Sequence, residues 1–393
     1  MLDLARPRAT ITTPAAAAVF TMVLTQGPVS RVEIARRTGL SSAAVTKAAR
    51  PFIEAGYLAE LAATERTGPG AGRPASPLAV RPDREYFLGV KITHEELIGV
   101  VTDLRSEVVA SAHRPLPSTA PETVAAELAA LTGDLLGRSP AYRERCRCLG
   151  LAVSGDVDRA TGLVRYSPFL SWHDVPLGEL ATGATGLAVT VENDVKALTV
   201  AEHWFGEGVG TSSFALVTIG LGIGCAVVVD DRLVTGARGV AGEIGHVPVG
   251  GDGPPCHCGG RGCVEAIAGI PAVLHAARRA LGEPELTLDG AIAAARAGDP
   301  AAREVFARAG TALGRAMAAM ANLIGPERIV VSGDLPGLAA YELLEQHLRQ
   351  SFTQQAFGAA ADCLLVLRPR PFEQWARGAA AVAIQTLFTL QER

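Results

Sequence analysis

The feature that most constrains this chain is a change of pattern at Arg81-Pro82-Asp83. Ahead of it, apolar residues recur at helical spacing between capping residues. Beyond it they come in short unbroken runs at 86–90, 97–101 and 108–110, the pattern of successive strands. A helical stretch at 121–136 follows, then strands at 149–153 and 187–191, a helix at 195–204, and paired strands at 214–219 and 224–229. Alanine-rich helices fill most of 271–323, a strand is expected at 328–332, and 374–387 reads as a closing helix. Elements in this order make an α/β architecture with mixed sheets, most simply two α/β lobes with a cleft between them. With 48% hydrophobic and 19% charged residues over 393 positions, the chain has material for two or three folded units.

The first eighty residues read as a winged helix-turn-helix. Thr13-Pro14 supplies an N-cap and a proline at the first helical position, opening a helix whose Val19, Phe20, Val23 and Leu24 can face a core. Gly27-Pro28 stops it. Ser30 and Glu33 stand at capping-box spacing and predict a second short helix ending near Gly39. Ser41 caps a third, in which Val45, Ala49, Phe52 and Ile53 recur at helical spacing. Its opposite face carries Ser42, Ala43, Thr46, Lys47 and Arg50, small or basic groups that fit a major groove. Residues 58–80 then read as a hairpin wing whose glycine-rich tip offers Arg73 to a minor groove. Residues 1–80 hold nine Arg or Lys against five Asp or Glu, a net +4 in a chain whose total is −4. Caps, turn, basic face and wing in this order point to double-stranded DNA. The alternative is a small helical domain for protein contacts.

Among seven cysteines, Cys256, Cys258 and Cys263 crowd together, which suggests metal ligation in a reducing compartment more than a disulfide framework. No apolar run reaches the roughly 18 residues of a spanning helix, and the first ten residues lack a signal peptide's apolar region. A cytoplasmic protein with no membrane partner is expected. The stretch Ala241-Gly-Glu-Ile-Gly-His246, followed by Cys256-His-Cys258-Gly-Gly-Arg-Gly-Cys263-Val-Glu265, resembles the zinc signature of the ROK family of repressors and sugar kinases. That resemblance implies a two-lobed actin-like, sugar-kinase (ribonuclease H-like) fold, and a structural Zn2+ held by His246, Cys256, Cys258 and Cys263. Three thiolates and one imidazole would close a tetrahedral shell, leaving no position for catalysis. Buried free cysteines are the alternative. His257 reads as a solvent-facing bystander.

A second segment, Val191-Glu-Asn193-Asp194-Val-Lys-Ala-Leu198, resembles the family's sugar-binding and catalytic motif, which places Asp194 at the kinase general-base position. Asn193, Asp194, Glu243, His246 and Glu265 then become a candidate polar ring around a sugar, since carboxylates and amides can serve successive hydroxyls. The alternative for each of them alone is a helix cap or a surface charge. His246 would have two tasks, one ring nitrogen on the metal and the other on a sugar oxygen.

Departures from the kinase pattern oppose turnover. Family kinases open this domain with a strand, an aspartate and a glycine-rich turn, whereas this chain has Gly89-Val-Lys91-Ile-Thr-His-Glu95-Glu96. Lysine replaces the acid, and two glutamates stand where phosphate must approach. The other glycine element, Ile219-Gly-Leu-Gly-Ile-Gly224, survives, with a partial nucleotide-side motif at Ile329-Val-Val-Ser-Gly333; both read as fold inheritance. Phe169 stands where family sugar kinases usually place an asparagine.

The expected organisation is a winged helix-turn-helix over 1–82, a smaller lobe over 83–192 with the helix at 374–393 packing back, and a larger, zinc-bearing lobe over 193–373. The expected function is a sugar-responsive transcriptional regulator of carbohydrate genes, most simply a repressor, without kinase activity. The alternative is an ATP-dependent sugar kinase with a DNA-binding appendage. Reading an inverted repeat calls for two copies, hence a homodimer or tetramer.

Overall fold

Three hydroxyls set the starts of the first three helices. Thr13 Oγ1 accepts the Ala16 N–H at 3.1 Å to open α1 (Pro14–Gln26), Ser30 Oγ accepts the Glu33 N–H at 3.2 Å to open α2 (Arg31–Thr38), and Ser41 Oγ accepts the Ala44 N–H at 3.2 Å to open α3 (Ser42–Glu54). Gly39, at a φ of 70°, ends α2. The expected capping box is half built, because the Glu33 carboxylate pairs with Arg36 one turn further on. β1 (Leu58–Glu60) and β2 (Leu78–Val80) pair antiparallel as the base of the wing. The structure, a computed structural model, describes residues 9, 11–62, 76–333 and 335–388. The wing tip with Arg73 lies outside them, as do residues 389–393 of the expected closing helix.

The chain divides into two units, Met1–Gly210 with Trp375–Arg393, and Thr211–Gln374. After the wing, the first continues with β3 (Tyr86–Ile92), β4 (Glu96–Thr102), β5 (Val108–Pro115), α4 (Pro121–Gly137), α5 (Pro140–Arg145) and β6 (Cys146–Val153). A small antiparallel sheet of β7 (Asp156–Asp158), β8 (Leu163–Ser167) and β9 (Trp172–Val175) follows, then α6 (Leu177–Thr185), β10 (Ala188–Asn193) and α7 (Asp194–Phe205). Its main sheet has the order β10-β6-β3-β4-β5, parallel across β10, β6 and β3, and antiparallel beyond.

The second unit contains β11 (Phe214–Ile219), β12 (Ile223–Val229), β13 (Arg232–Leu233), α8 (Val264–Ala268), α9 (Ile270–Leu281), α10 (Leu288–Ala297), α11 (Pro300–Ile324), β14 (Arg328–Gly333), α12 (Leu335–Gln355) and β15 (Leu364–Leu367). Its sheet, β13-β12-β11-β14-β15, repeats the first plan: three consecutive antiparallel strands, with two more added parallel on the other side of the first. Phe306, Leu313 and Met317 of α11 pack with the apolar residues of this sheet in one core.

The closing helix α13 (Phe372–Phe388) runs from Trp375 onward in the first unit. Gly89 on β3 and Gly150 on β6 are register partners. A Cβ at Gly89 would lie 2.0 Å from the Ala376 carbonyl oxygen, and one at Gly150 would lie 1.9 Å from that of Ala379. Only glycine lets an alanine-rich helix lie this close to the strands. A Cβ at Gly378 would likewise lie 2.8 Å from the carbonyl carbon of Ala197 on α7. The first unit runs on through α7 to Gly210, past the residue 193 at which the larger lobe was expected to start. The winged helix-turn-helix was expected as a domain of its own, yet its core is shared. Phe20, Phe52, Tyr57 and Leu58 cluster with Phe87, Ala380, Ile384 and Phe388, and Phe388 lies 4.5 Å from the Phe20 ring centre and 5.5 Å from that of Tyr57.

Candidate functional site

The strand β3 is buried along nearly its whole length, and Lys91 interrupts that apolar run. A buried ammonium requires a partner. Lys91 finds one in Asp194, the first residue of α7, with both groups almost fully buried. Lys91 Nζ also donates to Ser154 Oγ at 3.0 Å, and that hydroxyl donates onward to Asp194 Oδ2 at 2.5 Å. Asp194 Oδ1 accepts the Val195 N–H at 2.9 Å. Burial alone would raise the Asp194 carboxyl, but the ammonium of Lys91 and these hydrogen bonds outweigh it and hold the group below its ordinary value. Neighbouring Asn193 caps α7, its Oδ1 accepting the N–H groups of Val195 and Lys196 and its Nδ2 donating to Gly155 O. Phe169, in the turn between β8 and β9, is 45% exposed.

In the second unit, the donor atoms of His246, Cys256, Cys258 and Cys263 all lie within 4.8 Å of one another. Cys258 and Cys263 sulfurs are 3.8 Å apart, and Cys256 Sγ is 3.6 Å from His246 Nδ1. A tetrahedral ion with metal–sulfur bonds near 2.3 Å spaces its sulfurs by about 3.8 Å, so donor set and spacing both fit a metal. The backbone N–H of Gly260 draws the Cys258 thiol below its usual range, whereas burial pushes Cys263 up to about 12 and raises Cys256. Thiols in that state must release protons to bind an ion.

The surviving glycine hairpin, between β11 and β12, has two of its N–H groups bonded within the protein. Ile223 N–H donates to Glu265 Oε2 at 3.0 Å and Gly220 N–H to Gly222 O at 3.0 Å. A Cβ at Gly222 would lie 2.7 Å from Glu265 Oε2, so the glycine makes room for a carboxylate. A Cβ at Gly333 would lie 2.2 Å from the Ile219 carbonyl oxygen, which makes that glycine a requirement of strand pairing. Glu265 Oε1 is 2.6 Å from His257 Nε2. His257 is exposed as expected but is no bystander, because it engages a candidate sugar ligand. Asn193 and Asp194 stand together in one unit; in the other, His246 and Glu265 come within 4.8 Å of each other, and Glu243 is exposed.

Ser42, Ala43, Thr46, Lys47 and Arg50 are all exposed on α3, while Val45, Ala48, Ala49 and Phe52 are buried beneath them. Arg50 is paired with Glu54 one turn on.

The ROK family pattern matches residues 87–386. The chain belongs to the ROK family. Among its ROK relatives, the DNA-binding transcriptional repressor Mlc of Escherichia coli K12 is 29% identical over 383 residues, covering 95% of this chain and 93% of the relative. A solved ROK-family transcriptional regulator, described as a homologue of the E. coli Mlc protein, superposes with a TM-score of 0.79 at 29% identity, covering 95% and 96% of the two chains. A glucokinase of Thermotoga maritima is 37% identical over 221 residues, but this spans only 53% of the chain and 69% of the enzyme. The Mlc repressor and the solved regulator therefore each match 95% of this chain, whereas this kinase aligns with about half. The two-lobed sugar-kinase-like α/β fold behind an N-terminal helix-turn-helix is as expected.

Comparison with the kinase pattern identified Lys91 as out of place but not as the partner of Asp194. The signal was available: a lysine inside an otherwise apolar strand implies a buried acid, and Asp194 stands at a strand-to-helix turn. Ser154 carried no such signal.

Proposed function

We propose that this chain is a DNA-binding transcriptional regulator, most simply a repressor of carbohydrate genes, that responds to a sugar or sugar derivative and does not transfer phosphate. The observation that carries the reading is the buried Lys91–Asp194 pair. A general base must be free to take a proton from the attacking hydroxyl. Asp194 instead spends Oδ2 on Lys91 and Ser154 and Oδ1 on the Val195 N–H. Lysine at position 91 also removes the acid that would help to hold magnesium. The glycine hairpin favours the second reading, a sugar kinase with a DNA-binding appendage, but its Ile223 N–H is already spent on Glu265. Relatives along most of the chain include the N-acetylglucosamine repressor of E. coli O157:H7 and the xylose repressor of Caldicellulosiruptor bescii, which supports a sugar effector.

In this reading residues 1–82 bind an operator through Ser42, Ala43, Thr46, Lys47, Arg50 and Arg73. Asn193, Asp194, Glu243, His246 and Glu265 bind the effector. The ion at His246, Cys256, Cys258 and Cys263 is a structural zinc, which braces the loop that carries His246 and supplies no reactive position. His246 Nδ1, 3.6 Å from Cys256 Sγ, would hold the zinc, which would fix the ring tautomer and leave Nε2 for a hydroxyl. The protein acts in the cytoplasm as a homodimer or tetramer, so that two α3 helices read two half-sites.

Two variants and one assay test this. Lys47→Ala weakens operator binding and leaves sugar affinity unchanged. Asp194→Ala abolishes the sugar response, while specific DNA binding without sugar persists. A coupled ADP assay with ATP and a panel of sugars shows no turnover; ADP production at a rate typical of kinases would overturn the reading.

A further inference from the structure

Arg159, in the turn between β7 and β8, belongs to none of the motifs above. Its guanidinium reaches two elements that the sequence places far apart. On one side Nη1 is 3.4 Å from Glu192 Oε2. On the other, Nη1 and Nη2 each lie 3.4 Å from Gln385 Oε1, and Nη2 donates to Thr386 Oγ1 at 3.0 Å.

Both ends of this bridge matter. Glu192, the last but one residue of β10, is 3% exposed and accepts the Asn193 N–H on Oε1 at 2.9 Å. It therefore fixes the backbone of the residue that caps α7 and precedes Asp194. Gln385 and Thr386 lie in the last described turn of α13, beside Phe388. Phe388 packs on Phe20, and Phe20 stacks at 4.5 Å on Phe52 of α3, the helix whose other face is the DNA candidate. A continuous set of contacts within one unit thus runs from the α7 cap through Glu192, Arg159 and the end of α13 to the core of the winged helix-turn-helix.

We infer that Arg159 is the positioning residue that couples the Asn193–Asp194 site to the DNA-reading helices, joining Glu192 to the end of α13. The inference rests on the reading of that site as the effector site. Arginine suits the task, because its planar fork carries five donors in fixed directions and can serve three acceptors on two elements at once. Lysine would keep a positive charge beside Glu192 without spanning the same set. Coupling of this kind is a free energy shared by two sites, so a disturbance at either end must be felt at the other.

The test needs no ligand. Hydrogen–deuterium exchange is followed on the peptide carrying Val195 and Lys196, whose N–H groups bond to the Asn193 cap. The full chain is compared as wild type, Phe20→Leu, Arg159→Lys and the double variant. Phe20→Leu is expected to change exchange at this peptide by about threefold or more when Arg159 is present, and to leave it unchanged in the Arg159→Lys background. Gln385→Leu with Thr386→Val, which removes the acceptors on α13 and leaves the Glu192 side untouched, is expected to break the link in the same way. An equal response with and without Arg159, or no response in either background, overturns the inference. Because no sugar enters, a wild-type protein whose DNA binding ignores every sugar would count against the effector reading alone.

Discussion

In the first sheet the β3–β4 turn is Thr93-His94-Glu95, whereas the hairpin at the same place in the second sheet, β11–β12, turns through Gly220-Leu221-Gly222. The first has no glycine: the Thr93 hydroxyl closes it, accepting the Glu96 N–H at 2.9 Å, and Lys91 at the end of β3 neutralises Asp194 within the protein. The second keeps its glycines but spends its Ile223 N–H on Glu265. A glycine-rich turn is therefore poor evidence for phosphate binding until its free N–H groups are counted. The units also differ in how they satisfy their polar centres. The first supplies its own cation, whereas the Cys and His cluster of the second has the donor set to hold an ion from outside.

The largest test of that contrast is metal removal. Structural zinc binds small knuckles with about 10–16 kcal/mol. Chelation, or Cys256→Ser with Cys263→Ser, should therefore lower the melting temperature by on the order of 10 °C or more. Elemental analysis should find one zinc per wild-type chain and none in the variant; an unchanged melt would remove the structural role. Next in size is Lys91→Met, which strands a buried carboxylate at a cost of about 3–5 kcal/mol in urea unfolding. Adding Asp194→Leu should recover most of that loss, and a single variant as stable as wild type would show the pair to be unimportant. Glu265→Ala, which deprives the Ile223 N–H of a charged acceptor, should cost about 1.5–3 kcal/mol by the same measurement.

The smallest effect concerns sign. Asp194 is held below its ordinary value, so its contribution is present above the unfolded carboxylate range and lost as pH falls through its folded pKa, below 3.8. Burial, only partly offset by Arg159, raises Glu192, so its contribution is present below 4.5 and lost as pH rises through its folded pKa. Asp194→Asn should flatten stability at the acid end, and Glu192→Gln should flatten it above pH 4.5. Matching pH profiles for the two variants would contradict the assignment.

Local signals were legible in the sequence and distant ones were not. Thr13, Ser30 and Ser41 cap the helices they were expected to cap, and the spacing of Val45, Ala49 and Phe52 placed Lys47 and Arg50 on the exposed face, because caps and periods act within one or two turns. The helices α5 and α6, the sheet of β7 to β9 and the strands β13 and β15 were missed, being too short to show a period, and the 21-residue α12 was missed as well. Arg159, Glu192 and Gln385 could not be grouped, since their bonds join residues 33 and 226 positions apart and leave no trace in local spacing. The shared core of Phe20 and Phe388 was hidden for the same reason, which is why the helix-turn-helix read as a separate domain.

The most direct test of the account is fluorescence anisotropy on labelled duplex from the gene's own upstream region, titrated at fixed salt without and then with each member of a sugar panel. The account predicts specific binding that one class of sugar shifts without ATP and that Asp194→Ala leaves unshifted. Specific binding that changes only when ATP and sugar are present together, with ADP released, would contradict it and restore the kinase reading.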